Sequence, residues 1–220
     1  MPSSRDVYIV SAARTPLGAF QGDLSHQSAT DLGAIAIKAA VERASVPPTA
    51  VQEVYFGNAC SAGLGQAPAR QAAIKAGLPT SADCTTVNKV CASGMKSVCF
   101  GAQAISMGQS EVVVVGGMES MSNIPFICKS MRAGTRMGDA SLADAMIADC
   151  LWDSFENVHM GECAGKYSGD LSSFCASFAR RRCSFFSSLR ERYMLLERAA
   201  LTVRSFHERI ICFQLLENFP

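Results

Sequence analysis

The chain has 220 residues, 49% of them apolar and 18% charged, and a net charge of +1. That length can bury a sizeable core, and the composition is that of a folded chain, which excludes a disordered protein. A charge so close to zero gives no electrostatic reason to expect nucleic acid or an anionic membrane as the main partner.

The N-terminal stretch MPSSRDVYIVSAART has neither an apolar run with a small-residue cleavage site nor an Arg-rich leader. No apolar run is long enough to cross a bilayer. The expectation is a soluble cytoplasmic protein, with a mitochondrial or peroxisomal location as the alternative if a signal is missing. Ten cysteines are present, but none pair at the Cys-x-x-Cys spacing, so neither a metal site nor a disulfide framework is expected. Cys60, Cys84, Cys99 and Cys150 sit among apolar neighbours and read as small hydrophobes.

Along the chain, Val7–Ala12 is short, apolar and β-branched and reads as a first strand. After a loop with Pro16, Gly18 and Gly22, Ser28 and Asp31 form a capping-box pattern. It opens a helix through about Ala44, stopped by Pro47 and Pro48. Val51–Asn58 reads as a second strand. Gly63 and Gly65 mark a loop before a helix over Ala67–Ala76, which Gly77 and Pro79 close. Thr85–Val90 reads as a third strand, Ala92–Met107 as a third helix and Glu111–Val115 as a fourth strand.

A strand as continuously apolar as the fourth suits a sheet covered on both faces. With helices alternating, the expected fold class is α/β, a mainly parallel sheet between helix layers. Residues 118–165 are rich in Met, Gly, Ser and Asp and read as a long excursion of the kind that shapes binding sites. All six lysines lie at or before Lys166, whereas eight of fourteen arginines and seven of twelve phenylalanines follow it, so the tail breaks the α/β rhythm. Leu189, Tyr193, Leu196, Ala200, Val203 and Ile210 share one stripe, which predicts an amphipathic helix from about Ser187 to Glu217.

The chemistry centres on Cys91, in TTVNKV-Cys91-ASGM, where a strand gives way to a helix. Backbone N–H groups at a helix start are unpaired, and the dipole there favours negative charge by up to about 2 kcal/mol. The thiolate is the nucleophilic form of cysteine, so the position raises reactivity without ionising the thiol fully. Full activation needs a partner base such as a histidine. Gly94 allows close approach in the first turn, and the Cys91 N–H is placed to help bind an oxyanion. The same local pattern also fits a structural cysteine beside a packing glycine.

Five segments, in order, resemble the thiolase family. They are VYIVSAARTPLGAFQGDL, VYFGNACSAGLGQAPARQAAIKAGLP, VNKVCASGMKSV, VVVVGGMESMSNIPF and DSFENVHMGECAGKY, spanning about residues 5 to 167. The resemblance implies a layered thiolase N-terminal domain over 1–118, a partial loop domain over 119–166 and a divergent, possibly helical or irregular tail over 167–220. It also implies that Cys91 takes an acyl group from an acyl-CoA thioester, which the α-carbon of a second acetyl-CoA then attacks. The substrates would be acetyl-CoA and acetoacetyl-CoA, with coenzyme A as a substrate thioester, no tightly bound cofactor, no metal, and a homo-oligomer for the intact family. His159 and Met160 resemble the His-Met-Gly that borders the pantetheine and acyl pocket of short-chain members. Asn88 and Met118–Met121 are expected to line or support the site. Read without the resemblance, His159 is a loop histidine packing on Trp152 or Phe155.

The Gly-His-Pro, Cys-x-Gly and Asn-Glu segments of the family's second half have no counterpart here; His207, Cys175, Cys183 and Cys212 match none of them. The tail after Lys166 reads as an out-of-frame or alternative-transcript sequence. The chain is therefore expected to turn over weakly or not at all alone. The alternative function is a non-enzymatic fragment that binds CoA or thiolase subunits.

Overall fold

The computed structural model describes residues 5–168 and 209–213. The apolar runs of the N-terminal half become β1 (Ile9–Ala13), β2 (Glu53–Gly57), β3 (Asp83–Val87) and β4 (Val112–Gly117). Between them run α1 (Ala29–Ala44), α2 (Pro68–Lys75) and α3 (Ser93–Ser106). The excursion after β4 holds two small antiparallel ladders. One is β5 (Phe126–Ile127) with β6 (Ala143–Asp144); the other is β7 (Trp152–Asp153) with β8 (Val158–His159). α4 (Met160–Ser168) follows, and β9 (Arg209–Phe213) is the last element.

The main sheet has the order β1-β9-β4-β2-β3 and every pairing in it is parallel. β9 lies inside the stretch that the sequence pattern assigns to an amphipathic helix. Residues 209–213 are instead a strand between β1 and β4, as the successive β-branched residues Ile210 and Ile211 favour. The rest of that stretch, with His207, lies outside the described residues, as do Cys175 and Cys183. Among the described residues, those up to Met146 together with β9 form one compact unit, and those from Ile147 onward to Ser168 a second. No helix of the described residues is long and apolar enough to cross a membrane.

Strand periodicity divides the core into two layers. Val54, Phe56 and Val114 pack with Ala36, Ile37, Ala40 and Val41 of α1 and Ala69, Ala72 and Ala73 of α2. Val113 and Val115 point the other way, against Ile105 of α3 with Val98 and Ala102 beside it. β4 is apolar at successive positions because both its faces are covered, as the sequence pattern predicts. Phe56 and Ile37 are fully buried, each contributing about 1.5–3 kcal/mol of transfer free energy.

α1 begins where the capping pattern places it, with the Ser28 hydroxyl accepting from the Asp31 N–H at 3.2 Å. It ends at Ser45, whose φ of 53° is left-handed, before the prolines are reached. The first-turn donor of α2 at Ala69 is satisfied by Thr86 Oγ1 of β3 at 3.0 Å. Asp31 also ties the two helices together, its carboxylate 2.7 Å from Lys75 Nζ.

Lys75, and after it the Ser28 hydroxyl, hold the Asp31 carboxyl below its ordinary value of 3.8. A depressed folded-state value means that the stabilisation is present above 3.8 and is lost as pH falls through the lower folded value. Melting temperature followed from neutral pH downward should therefore fall below that point, and more gently in Lys75→Met. Identical acid limbs in the two proteins would contradict this assignment.

Candidate functional site

β3 stops at Val87, three residues earlier than the strand propensity of TTVNKV predicts. Residues 88–92 form a tight turn and α3 starts at Ser93, with Ala92 as its N-cap. Val90 turns the corner at a φ of +49°, a conformation that a β-branched residue adopts only when its surroundings impose it. Those surroundings are visible. The Val90 N–H donates to Asn88 Oδ1 at 2.9 Å, and the Ser93 hydroxyl donates to the Val90 carbonyl at 2.5 Å while accepting from the Lys89 N–H at 2.9 Å. Cys91 follows Val90 directly and its thiol is free and exposed.

No side chain caps α3 and its first turn carries no acidic residue. Ser93, the residue best suited to capping, spends its hydroxyl on the turn instead. The start of the helix thus keeps its partial positive charge beside Cys91.

Gly57 at the end of β2 lies in close approach to the first turn of α3. A Cβ there would lie 2.6 Å from the Ser93 carbonyl carbon and 2.7 Å from the Gly94 nitrogen. Ser97, one turn into α3, is fully buried and locks the helix to β4, donating toward the Gly94 and Gly116 carbonyls at 2.6 Å each and accepting from the Gly116 N–H at 3.0 Å. Sequence reasoning passed over Ser97; a serine among small residues on the inner face of an apolar helix was its only trace.

Glu119 was also missed as a residue of its own. It follows the end of β4, and its carboxylate collects N–H donors from a loop some sixty positions earlier. Asn58 Nδ2 and the Ala59 N–H each donate at 2.8 Å, and the Cys60 N–H at 3.2 Å. Burial pushes the Glu119 carboxyl up, opposed by the hydrogen bonds from Ala59, Cys60 and Asn58. The signal available was a lone acid immediately after an apolar strand, in GGMES.

Met118 lies in the main core, where a Cβ on Gly33 would come within 2.8 Å of its sulfur. Met121 is buried as well. Ser120 and Asn123 bond the Gln27 carbonyl at 2.8 and 2.9 Å, stitching this segment to the loop before α1. Met118–Met121 therefore support the fold under the turn. Asn88 is part of the turn itself, its Nδ2 donating to the Ala59 carbonyl at 3.0 Å.

Cys91 lies in the first compact unit, and His159 and Met160 in the second. His159 lies in β8 and stands opposite Trp152 in the β7–β8 ladder. Its Nδ1 accepts from the Gly161 N–H at 3.0 Å, which leaves Nε2 as the ring atom free of this local bond. Met160 opens α4 and is 43% exposed; Phe155 is 97% exposed and covers nothing.

Among the cysteines read as apolar packers, Cys84 is half-buried and free, and Cys99 is free but exposed on α3. Cys60 and Cys150 are buried and each is disulfide-bonded, against the expectation of free apolar thiols. Among the described residues, no three His, Cys, Asp or Glu side chains come together as metal ligands.

Residues 7–173 match the family model described as the thiolase N-terminal domain. The chain is 59% identical over 160 residues to acetyl-CoA acetyltransferase 2 of Arabidopsis thaliana, covering 73% of this chain and 40% of that protein. It is 56% identical to the cytosolic acetyl-CoA acetyltransferase ERG10 of Gibberella zeae, covering 70% and 39%. Against the mitochondrial acetyl-CoA acetyltransferase of Rattus norvegicus the identity is 50%, covering 78% and 40%. The crystal structure of the Acat5 thiolase from Ascaris suum in complex with coenzyme A superposes with a TM-score of 0.72 at 44% identity, over 76% of this chain and 44% of that one. The chain thus spans about two fifths of the length of the curated relatives it matches.

Proposed function

Because the chain belongs to the thiolase family, we propose that it performs the first half of an acetyl-CoA C-acetyltransferase reaction, with Cys91 as the acyl-accepting nucleophile. The Cys91 thiolate attacks the acetyl-CoA carbonyl, and the oxyanion collapses with loss of the CoA thiolate, leaving an acetyl thioester on Cys91. In the complete reaction a second acetyl-CoA loses an α-proton and its carbanion attacks that thioester. Acetoacetyl-CoA forms and the Cys91 thiol is restored. The Cys91 N–H is proposed to steady the oxyanion, with His159 and Met160 bordering the pantetheine and acyl pocket in the loop domain that residues 119–166 begin.

The observation that carries this reading is the exposed thiol behind a left-handed Val90, at the uncapped start of α3. No Gly-His-Pro segment occurs in the sequence to supply the base, and its Cys-x-Gly triplets, at Cys99 and Cys163, lie within the residues that match the N-terminal domain and not in a second half. Losing one oxyanion donor costs about 100- to 1,000-fold and a general base about as much again. Acylation without sustained turnover is the expected behaviour of the chain alone. The cytosolic relative at 56% identity supports the proposed cytoplasmic location, and the mitochondrial relative at 50% supports the mitochondrial alternative.

The test is incubation with acetyl-CoA followed by peptide mass spectrometry. An acetyl thioester confined to Cys91 is expected, with Cys99 unmodified. Acetylation spread equally over both thiols, or absent from Cys91, would defeat the reading.

The alternative of a non-enzymatic fragment has one observation in its favour. Met95 on α3 and Met107 just past its end are 75% and 72% exposed, with the exposed Cys99 between them in the chain. Such exposure suits association with another protein layer. A chain that sediments as an assembly and takes no acetyl group would favour this alternative.

A further inference from the structure

We propose that Glu119 is a positioning residue for Cys91, holding the Val90 turn in place through the 58–60 loop and Asn88. The reading rests on Cys91 being the nucleophile.

The connection is a continuous run of hydrogen bonds. Glu119 fixes the loop by accepting from Ala59 N–H and Asn58 Nδ2 at 2.8 Å each and from Cys60 N–H at 3.2 Å. On the other side of the same peptide stretch, the Ala59 carbonyl accepts from Asn88 Nδ2 at 3.0 Å. That bond sets which way the Asn88 carboxamide faces, leaving Oδ1 to accept from the Val90 N–H at 2.9 Å. Val90 then presents Cys91.

Each link is specific in its chemistry. Every partner of Glu119 in this run is a donor, so only an ionised carboxylate, with acceptors on both oxygens, satisfies all of them. Glutamine would put an NH2 group against an N–H donor. Asn88 must donate on one side and accept on the other, which a carboxylate or an aliphatic side chain does not do. Val90 at φ +49° relaxes toward ordinary backbone unless it is held, and Asn88 supplies a direct bond to its N–H. Glu119 itself is separated from Cys91 by the loop and Asn88, so its effect is one of geometry.

The experiment uses the full chain with Glu119→Gln, Asn88→Asp and the double variant. Asn88→Asp keeps the acceptor for Val90 but removes the donor to Ala59, cutting the run at its middle. Two rates are read by peptide mass spectrometry. The first is acetyl transfer from acetyl-CoA to Cys91. The second is iodoacetamide alkylation of Cys91 relative to Cys99, an exposed thiol on the helix that follows the turn.

Each single variant should slow acetyl transfer by about tenfold or more, as expected for a misplaced reacting atom. The Cys91-to-Cys99 alkylation ratio should change while Cys99 itself reacts at the wild-type rate. The double variant should lose no more than the worse single variant, because the two residues act through one connection. A general loss of stability would move both thiols together and add in the double variant, and that outcome overturns the proposal. So does an unchanged acetyl-transfer rate in either variant.

If Glu119→Gln fails to fold, Asn88→Asp alone decides, by the same two readings. If the wild-type chain takes no acetyl group, the nucleophile reading fails separately. The alkylation ratio then still decides the positioning role, and an unchanged ratio in both variants refutes it.

Discussion

Cys91→Ala should lose the acetyl adduct entirely, with a fall in acetyl transfer of more than about 1,000-fold. The side chain is exposed, so the substitution should change stability by less than about 0.5 kcal/mol. Cys91→Ser is the sharper variant. A serine fits the same turn but is a weak nucleophile without an adjacent base, and none of the family's base-bearing segments occurs in this sequence. Both variants should therefore be inert toward acetyl-CoA, while iodoacetamide still labels Cys99 at the wild-type rate. Acetyl transfer persisting in Cys91→Ala would move the chemistry to another residue.

Gly57→Ala should have a large effect on both stability and the site. The added Cβ would meet the Ser93 carbonyl carbon at 2.6 Å and the Gly94 nitrogen at 2.7 Å, and both are backbone atoms that no rotamer change can clear. Either β2 or the first turn of α3 must shift. Overpacking of this kind costs about 1–3 kcal/mol, and a backbone neighbour puts the cost at the upper end. At about 2–4 °C per kcal/mol, the melting temperature should drop by roughly 6–12 °C. Displacing α3 also moves the turn that Ser93 holds, so acetyl transfer to Cys91 should fall by about 10- to 100-fold. Gly77→Ala is the control. Gly77 has a φ of +88° but open space around it, so it should cost about 1 kcal/mol and leave Cys91 untouched. Equal effects of the two substitutions on acetyl transfer would show that close approach at Gly57 is not what places the turn.

Much of this site was legible before any coordinates. A strand, a cysteine and a helix with a nearby glycine are local features, carried by residues within four positions of one another. Glu119 and Ser97 were not legible in the same way. A carboxylate that serves a loop sixty residues earlier leaves no periodicity behind it, and a buried serine looks like any small helical residue until its partners on β4 are seen. Val90 was misread for the opposite reason, since its β-branched side chain argues for strand and the turn overrides it.

The sequence by itself determined the order of the first seven elements, the Ser28 start of α1, the two-sided burial of β4 and the place of Cys91 between strand and helix. These follow from side-chain period, capping chemistry and chain direction, all short-range properties. Tertiary structure alone decided that residues 209–213 join the sheet between β1 and β4, that Gly57 lies against the first turn of α3, and that Glu119 and Asn88 share one run of hydrogen bonds to the turn. Those depend on which distant segments meet. Buried backbone donors and acceptors must then find partners wherever the packing brings them.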